Sequence, residues 1–324
     1  MQPAIKQPID TETAGHGDHP TARGFTTQLK DVQKTLPLRV LTAKDWRHWV
    51  TRGYVIVRQA VPVEQCETVI DMLWTFQEMD RNDPSTWYRP QFREHRMKEL
   101  NNTGMIEVYN HQSLWENRQA PRVYDAFVDI WDREDLWVAI DRANLNPPNK
   151  GARASGQENG FIHFDVDSSA RPLPIGVQGV LSLAHQDREV GGFQCVPDLF
   201  AELEAWSARQ PAGSNPFKPD VTGYEIVNTS MEQGDLLIFN SLLPHGVRPN
   251  RSEDRVRLAQ YISMFPADPE NVALREARIK TWREQTAPIG DPFPGDPRDF
   301  ERRNFPVAML SPHGEKLLGV APWI

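Results

Sequence analysis

Apolar residues recur at helical spacing in separate stretches between residues 42 and 131, and from residue 136 to about 266 they fall into short runs and strand-like alternation. Residues 1–35 carry neither period and are rich in Pro, Thr, Gly and charge, which predicts a mobile arm with order beginning near Leu36. Thr42 caps a short helix through Trp46, and the β-branched run Gly53–Val57 predicts a strand. Pro62 opens the next helix, whose Val69, Met72, Leu73 and Phe76 lie on one face. Residues 80–105 lose period, with Trp87, Tyr88, Arg89, Arg93, His95 and Arg96 interleaved in a loop that reads first as a solvated basic turn and second as a face toward an anionic substrate. A helix over Pro121–Trp131 follows.

Leu136–Asn146 then reads as extended chain ended by Pro147-Pro148. Its Arg142, Asn144 and Asn146 share a parity that suggests a lined cavity. After Phe161, strand-like runs at 175–184, 192–197, 224–229, 235–240, 243–247 and 256–265 alternate with Gly, Pro and Asn. Repeated short strands of this kind predict a mainly β fold with flanking helices, its core a barrel or double-sheet jelly roll spanning about 136–266. A charged helix at 268–284 and a Pro-rich stretch at 288–297 predict a C-terminal cover, 267–324, over the barrel mouth. Residues 36–324 are thus expected to form one domain.

The chain has 324 residues, 39% of them hydrophobic, enough to bury a substantial core. A formal charge of -8 argues against nucleic acid, whose phosphates need a clustered basic face. No apolar run approaches a membrane span, and residues 1–24 lack the apolar centre of a signal peptide. Cys66 and Cys195 stand far apart and make no disulfide framework, which fits a reducing cytoplasm.

The chemistry concentrates at Phe161-Ile162-His163-Phe164-Asp165. His163 and Asp165, two residues apart on an extended strand, project from one face and can meet a single metal ion. His245, in Pro244-His245-Gly246, supplies a second imidazole on another strand. Two imidazoles and one carboxylate on one side of an ion form the facial triad of non-haem iron(II) oxygenases, with the remaining positions open to cosubstrate and dioxygen. A second pair of the same spacing, His185 and Asp187, runs into charged residues and Gly191-Gly192. It reads as a turn.

An ordered series of blocks resembles the phytanoyl-CoA dioxygenase family of iron(II)/2-oxoglutarate-dependent oxygenases. The series comprises Gly53-Tyr54-Val55-Ile56-Val57, Asn146-Pro147-Pro148, His163-Phe164-Asp165, Gly191–Pro197, Gly234–Phe239, His245–Ser252 and Arg257-Leu258-Ala259. The resemblance implies a double-stranded β-helix, the cupin-like jelly roll, with iron(II) on His163, Asp165 and His245. It also implies O2 and 2-oxoglutarate as cosubstrates, the far carboxylate of 2-oxoglutarate resting on an arginine. Arg255 and Arg257 both have the parity to face inward; Arg257 keeps Ala259 and Phe265-Pro266 in the family's register. The family often has Ser where this chain has Val247 and Lys where it has Asn146, so other contacts to the cosubstrate are sought in Arg142, Asn144 and Gln178.

The expected activity is hydroxylation of an unactivated C–H bond of a small, possibly anionic or polar metabolite, with release of succinate and CO2. Halogenation is disfavoured, because related halogenases have Gly or Ala where this chain keeps Asp165. The competing reading is a non-oxidative cupin-type metal enzyme or small-molecule binding protein. Arg257 separates the two, because a buried guanidinium with no cosubstrate carboxylate to meet is costly.

Overall fold

The computed structural model describes residues 26–88, 104–150, 160–290 and 293–323. Thr42 and Asp45 form a reciprocal capping box that starts helix α1 (Ala43–Arg52), and Gly53 ends the helix at φ 78°. An added Cβ at Gly53 would sit 2.8 Å from the Phe200 ring, so space and conformation both call for glycine. The chain passes into strand β1 (Tyr54–Val57) and helix α2 (Val63–Phe76), whose Val69, Met72, Leu73 and Phe76 are buried. Helices α3 (Gln112–Arg118) and α4 (Pro121–Trp131) precede strands β2 (Leu136–Val138) and β3 (Ala143–Asn146).

Strands β4 (Val177–Ser182), β5 (Gly192–Cys195), β6 (Val227–Asn228), β7 (Leu236–Asn240), β8 (His245–Arg248), β9 (Arg257–Tyr261) and β10 (Met264–Pro266) follow. Two short helices, α5 (Pro197–Ala201) and α6 (Leu203–Ala208), interrupt them between β5 and β6, where the apolar pattern had suggested only strands and turns. Helices α7 (Val272–Glu284), α8 (Phe300–Asn304) and α9 (Pro312–Leu318) complete the chain.

The major sheet has the order β1-β7-β4-β9-β3 and the minor sheet β6-β5-β8, with neighbouring strands antiparallel throughout. This is the double-stranded β-helix with flanking helices. Strand β1 joins it as the edge partner of β7, with Tyr54 opposite Phe239, so the β core reaches back beyond residue 136. Alternation divides the burial. Val180, Leu237, Phe239 and Ala259 face the minor sheet's Phe193 and Cys195 in one cluster, while Leu181, Leu236, Ile238 and Leu258 face the helices in another.

The buried side chains of the C-terminal region, expected over the barrel mouth, join the helix-side cluster: Phe293, Ala308, Leu317 and Leu318 pack there. Within the same layer Arg278 donates to the Val138 carbonyl at 2.7 Å. Order also begins before Leu36. Leu29 is fully buried, and Asp132 accepts from the backbone of Thr35 and Leu36 and pairs with Lys34 at 2.9 Å. The rest of the predicted arm, residues 1–25, lies outside the described residues, as do Arg89, Arg93, His95 and Arg96 of the basic loop. Trp87 of that loop is a core residue, ringed against Trp74 at 5.6 Å. No helix among the described residues is long and apolar enough to cross a membrane.

One buried acid ties the C-terminal region to the segment that leads into α3. Glu301 of α8 accepts the backbone N–H groups of Tyr109 at 2.8 Å and Asn110 at 2.6 Å, and burial pushes its carboxyl up to about 7. In the unfolded chain the same carboxyl titrates near 4.3. The folded state therefore holds the extra proton between these values, and stability falls as pH rises from about 4.3 to about 7, by roughly 3–4 kcal/mol at most. Thermal melts over this range should show the slope in the wild type and lose it in Glu301→Gln. Parallel profiles for the two proteins would show that Glu301 does not titrate there.

Candidate metal centre

Strand β8 carries His245 inward from the minor sheet, opposite Cys195. The chain at His163 pairs with β8 as a further antiparallel bridge, with His163 N–H to the His245 carbonyl at 2.8 Å and the reverse bond at 3.0 Å. This pairing requires the glycine after His245. An ideal Cβ on Gly246 would lie 1.7 Å from the Phe161 carbonyl oxygen, so any side chain there would push the His163 segment off the sheet. Asp165, two residues past His163, then enters the same space.

The side-chain atoms converge. His163 Nε2 lies 3.0 Å from Asp165 Oδ1, and His245 Nε2 lies 3.1 Å from Asp165 Oδ2. Neighbouring ligands on an octahedral ion with bonds of about 2.1 Å are separated by about 3.0 Å, so these spacings match one face of a coordination shell. Tautomer chemistry points the same way. His245 Nδ1 lies 2.9 Å from the Leu243 carbonyl, which only accepts, so Nδ1 carries the proton. That leaves Nε2, beside the Asp165 carboxylate, as the atom His245 can offer a metal ion held between the two. Gln178 on β4 donates its Nε2–H to Asp165 Oδ2 and so orients the carboxylate. Residues His163, Asp165 and His245 are the one metal-competent cluster among the described residues.

The ring of His245 is wedged between Phe193, centroid 5.6 Å away, and Phe239 at 4.4 Å, and is 7% exposed. His163 is more open, with the exposed Phe161 ring 4.9 Å from it. The alternative pair is a surface cluster. His185 bonds Glu232 at 2.8 Å, and the two Arg255 contacts hold Asp187 well below the usual carboxylate range.

The two arginine candidates part company here. Arg255 precedes β9, is 38% exposed along its side chain, and pairs with Asp187 and Glu189, each at 2.8 Å. Arg257 opens β9 on the face shared with Ala259, inside the barrel, and is 8% exposed. Among the described residues its guanidinium makes no hydrogen bond or ion pair.

Directly opposite Arg257 on β3 stands Asn146, whose Nδ2 is buried without a partner. Its parity with Arg142 and Asn144 is the sequence signal for this position. Reading Asn146 only as a missing lysine hides that it can itself donate.

Arg142 and Asn144 lie further along the same face and already have partners. The Arg142 guanidinium pairs with Glu107 at 2.9 Å, deep under Phe293, while burial raises the Glu107 carboxyl and Arg142 draws it back down. Asn144 donates to the Tyr261 hydroxyl at 3.1 Å. The structure thus groups Gln178 with the triad and Arg257 with Asn146, and assigns Arg142 to a buried ion pair. Neither cysteine approaches the triad's chemistry: both thiols are buried and free, and burial raises each, that of Cys66 to about 12.

Residues 49–259 match the family profile described as phytanoyl-CoA dioxygenase (PhyH). A Dictyostelium discoideum protein assigned to the phytanoyl-CoA dioxygenases is 24% identical over 289 residues, which cover 75% of this chain and 81% of that protein. The "Ava biosynthesis cluster protein O" of Aspergillus versicolor is 27% identical over 247 residues, covering 68% of this chain and 77% of its own. Among solved structures, a hypothetical protein of Escherichia coli shares the fold with a TM-score of 0.59 at 15% identity, over 86% of this chain and 82% of that one.

Proposed function

The chain belongs to the phytanoyl-CoA dioxygenase family of iron(II)/2-oxoglutarate-dependent oxygenases, and from that premise we propose that it hydroxylates an unactivated C–H bond of a small-molecule metabolite. Iron(II), held by His163, Asp165 and His245, would with dioxygen and 2-oxoglutarate supply the oxidising power, releasing succinate and CO2. The observation that supports this reading most directly is Arg257, a guanidinium 8% exposed and without a counter-charge among the described residues, on the inner face of the barrel that also holds the triad.

A guanidinium cannot shed its proton, so an uncompensated one in a low-dielectric interior calls for an anionic ligand. The far carboxylate of 2-oxoglutarate is that ligand in our reading, with Asn146 Nδ2 as a second donor from the opposite strand. A non-oxidative cupin enzyme would have no use for this charge.

The other residues have distinct tasks. Gln178 holds Asp165 in its orientation, and the Leu243 carbonyl holds the His245 tautomer. Phe193, Phe239, Val180 and Leu237 line the barrel beside His245 and keep water from the reacting centre. Phe161, 56% exposed and next to His163, offers an apolar contact at the rim, which suits a substrate whose attacked carbon sits in an apolar portion.

The test is succinate release. Wild-type protein loaded anaerobically with iron(II) and 2-oxoglutarate, then exposed to oxygen with a panel of metabolites, should form succinate faster with the true substrate, in step with a product heavier by one oxygen. A protein that takes up iron(II) yet forms no succinate above the protein-free background under any of these conditions would sink the reading.

A further inference from the structure

Strand β8 has two working faces. His245 points inward, and Arg248, three residues on, points to the outer face of the minor sheet opposite Gly192. A cavity of about 220 Å³ lies on that outer face, lined by Arg188, Gln194, Ile226, Asn228, Arg248 and Arg251 among others. Arg248 is 8% exposed. Its Nη2 is pinned by the carbonyls of Gly191 at 3.2 Å and Thr229 at 3.0 Å, while its buried Nε and Nη1 have no hydrogen-bond partner among the described residues.

Neither Arg248 nor Arg188 forms an ion pair with a described carboxylate. The acid closest to hand, Asp187, is spent on Arg255 at 2.8 Å. Burial weighs most against the charged form of Arg248, the charge of Asp187 offsets part of that and the like charge of Arg188 adds to it; a guanidinium nonetheless keeps its proton. Two carbonyl contacts on one nitrogen do not explain why a permanently charged group stands in a cavity wall beside Arg188.

We propose that this outer face carries a second anion site, built around Arg248, that takes the phosphate or carboxylate group of a small metabolite. Guanidinium groups suit both oxyanions, the amides of Gln194 and Asn228 add neutral hydrogen-bonding groups, and Ile226 supplies an apolar wall. At about 220 Å³ the cavity is smaller than a typical whole-ligand pocket of roughly 300–1,000 Å³, so it holds one group of the ligand and leaves the remainder in solvent. The site is separate from the iron centre, on the reverse of the strand that carries His245, and stands whether or not the oxygenase reading does.

Inorganic phosphate is the probe, titrated into the full-length protein and followed by phosphorus NMR, with Arg188→Gln, Arg248→Lys and Arg257→Ala alongside the wild type. Saturable binding is expected, weakened about tenfold in Arg188→Gln and at least as much in Arg248→Lys. Arg257→Ala should bind phosphate as the wild type does. Arg188 is exposed, so its variant decides the matter even if Arg248→Lys fails to fold.

Succinate titrated into Arg257→Ala, where the barrel arginine cannot capture it, provides the carboxylate arm. Tighter phosphate assigns a phosphorylated ligand, and tighter succinate a carboxylated one. The proposal is overturned if neither anion saturates, if Arg188→Gln binds like the wild type, or if Arg257→Ala is the variant that loses phosphate.

Discussion

Arg257→Ala is expected to weaken 2-oxoglutarate binding by at least about a hundredfold while leaving iron(II) binding nearly intact. The guanidinium lies in the barrel at 8% exposure with no partner among the described residues. Its pairing with the far carboxylate would thus be made in a low-dielectric setting, where such pairs are strong. Truncation leaves that carboxylate buried and unpaired, a loss of about 3–5 kcal/mol, or about two to three and a half decades at 1.4 kcal/mol per decade.

Arg255→Ala is the control. Its ion pairs with Asp187 and Glu189 sit at the surface, where such pairs contribute about 0–1 kcal/mol, and its effect on 2-oxoglutarate should be small. Anaerobic titrations of iron(II) and then 2-oxoglutarate, followed by the metal-to-ligand charge-transfer absorbance, read both steps separately. Equal 2-oxoglutarate affinity in Arg257→Ala and wild type would remove the anchor role. Loss in Arg255→Ala alone would transfer it.

Asp165→Ala should abolish turnover and cut iron affinity further than the roughly 10–100-fold that loss of an outer hydrogen-bond partner costs. The carboxylate contacts both imidazoles, at 3.0 and 3.1 Å, and is the one anion in the cluster. Without it two neutral rings are left to hold a divalent ion. His163→Ala and His245→Ala should lose iron likewise, whereas His185→Ala should not, because His185 is tied to Glu232 at the surface. Iron stoichiometry after desalting, with circular dichroism to check the fold, separates these outcomes. Iron retained in both His163→Ala and His245→Ala, but lost in His185→Ala, would mean the centre lies elsewhere.

Much of this is legible in the sequence alone. His163 and Asp165 share a face because strand side chains alternate, a local rule that needs no partner strand. Thr42 and Gly53 delimit α1 by the same kind of local chemistry, capping at one end and left-handed backbone at the other. The strand runs after residue 175 appear near their expected places because alternation and turn residues act over a few positions.

What the sequence determined by itself, then, was the set of residues sharing each face, the candidate metal donors, and the jelly-roll class. Tertiary structure decided which of those faces meet and which charges are already answered. Parity admitted both Arg255 and Arg257 to the interior, but only folding brings Asp187 to Arg255 across 68 residues and leaves Arg257 without a partner among the described residues. It likewise brings Glu107 to Arg142 across 35 residues, sets Asn146 opposite Arg257, and makes β1 the edge partner of β7. The reason is physical: alternation is a property of a few consecutive dihedrals, whereas neutralising a charge or pairing an edge depends on what long-range packing carries into reach.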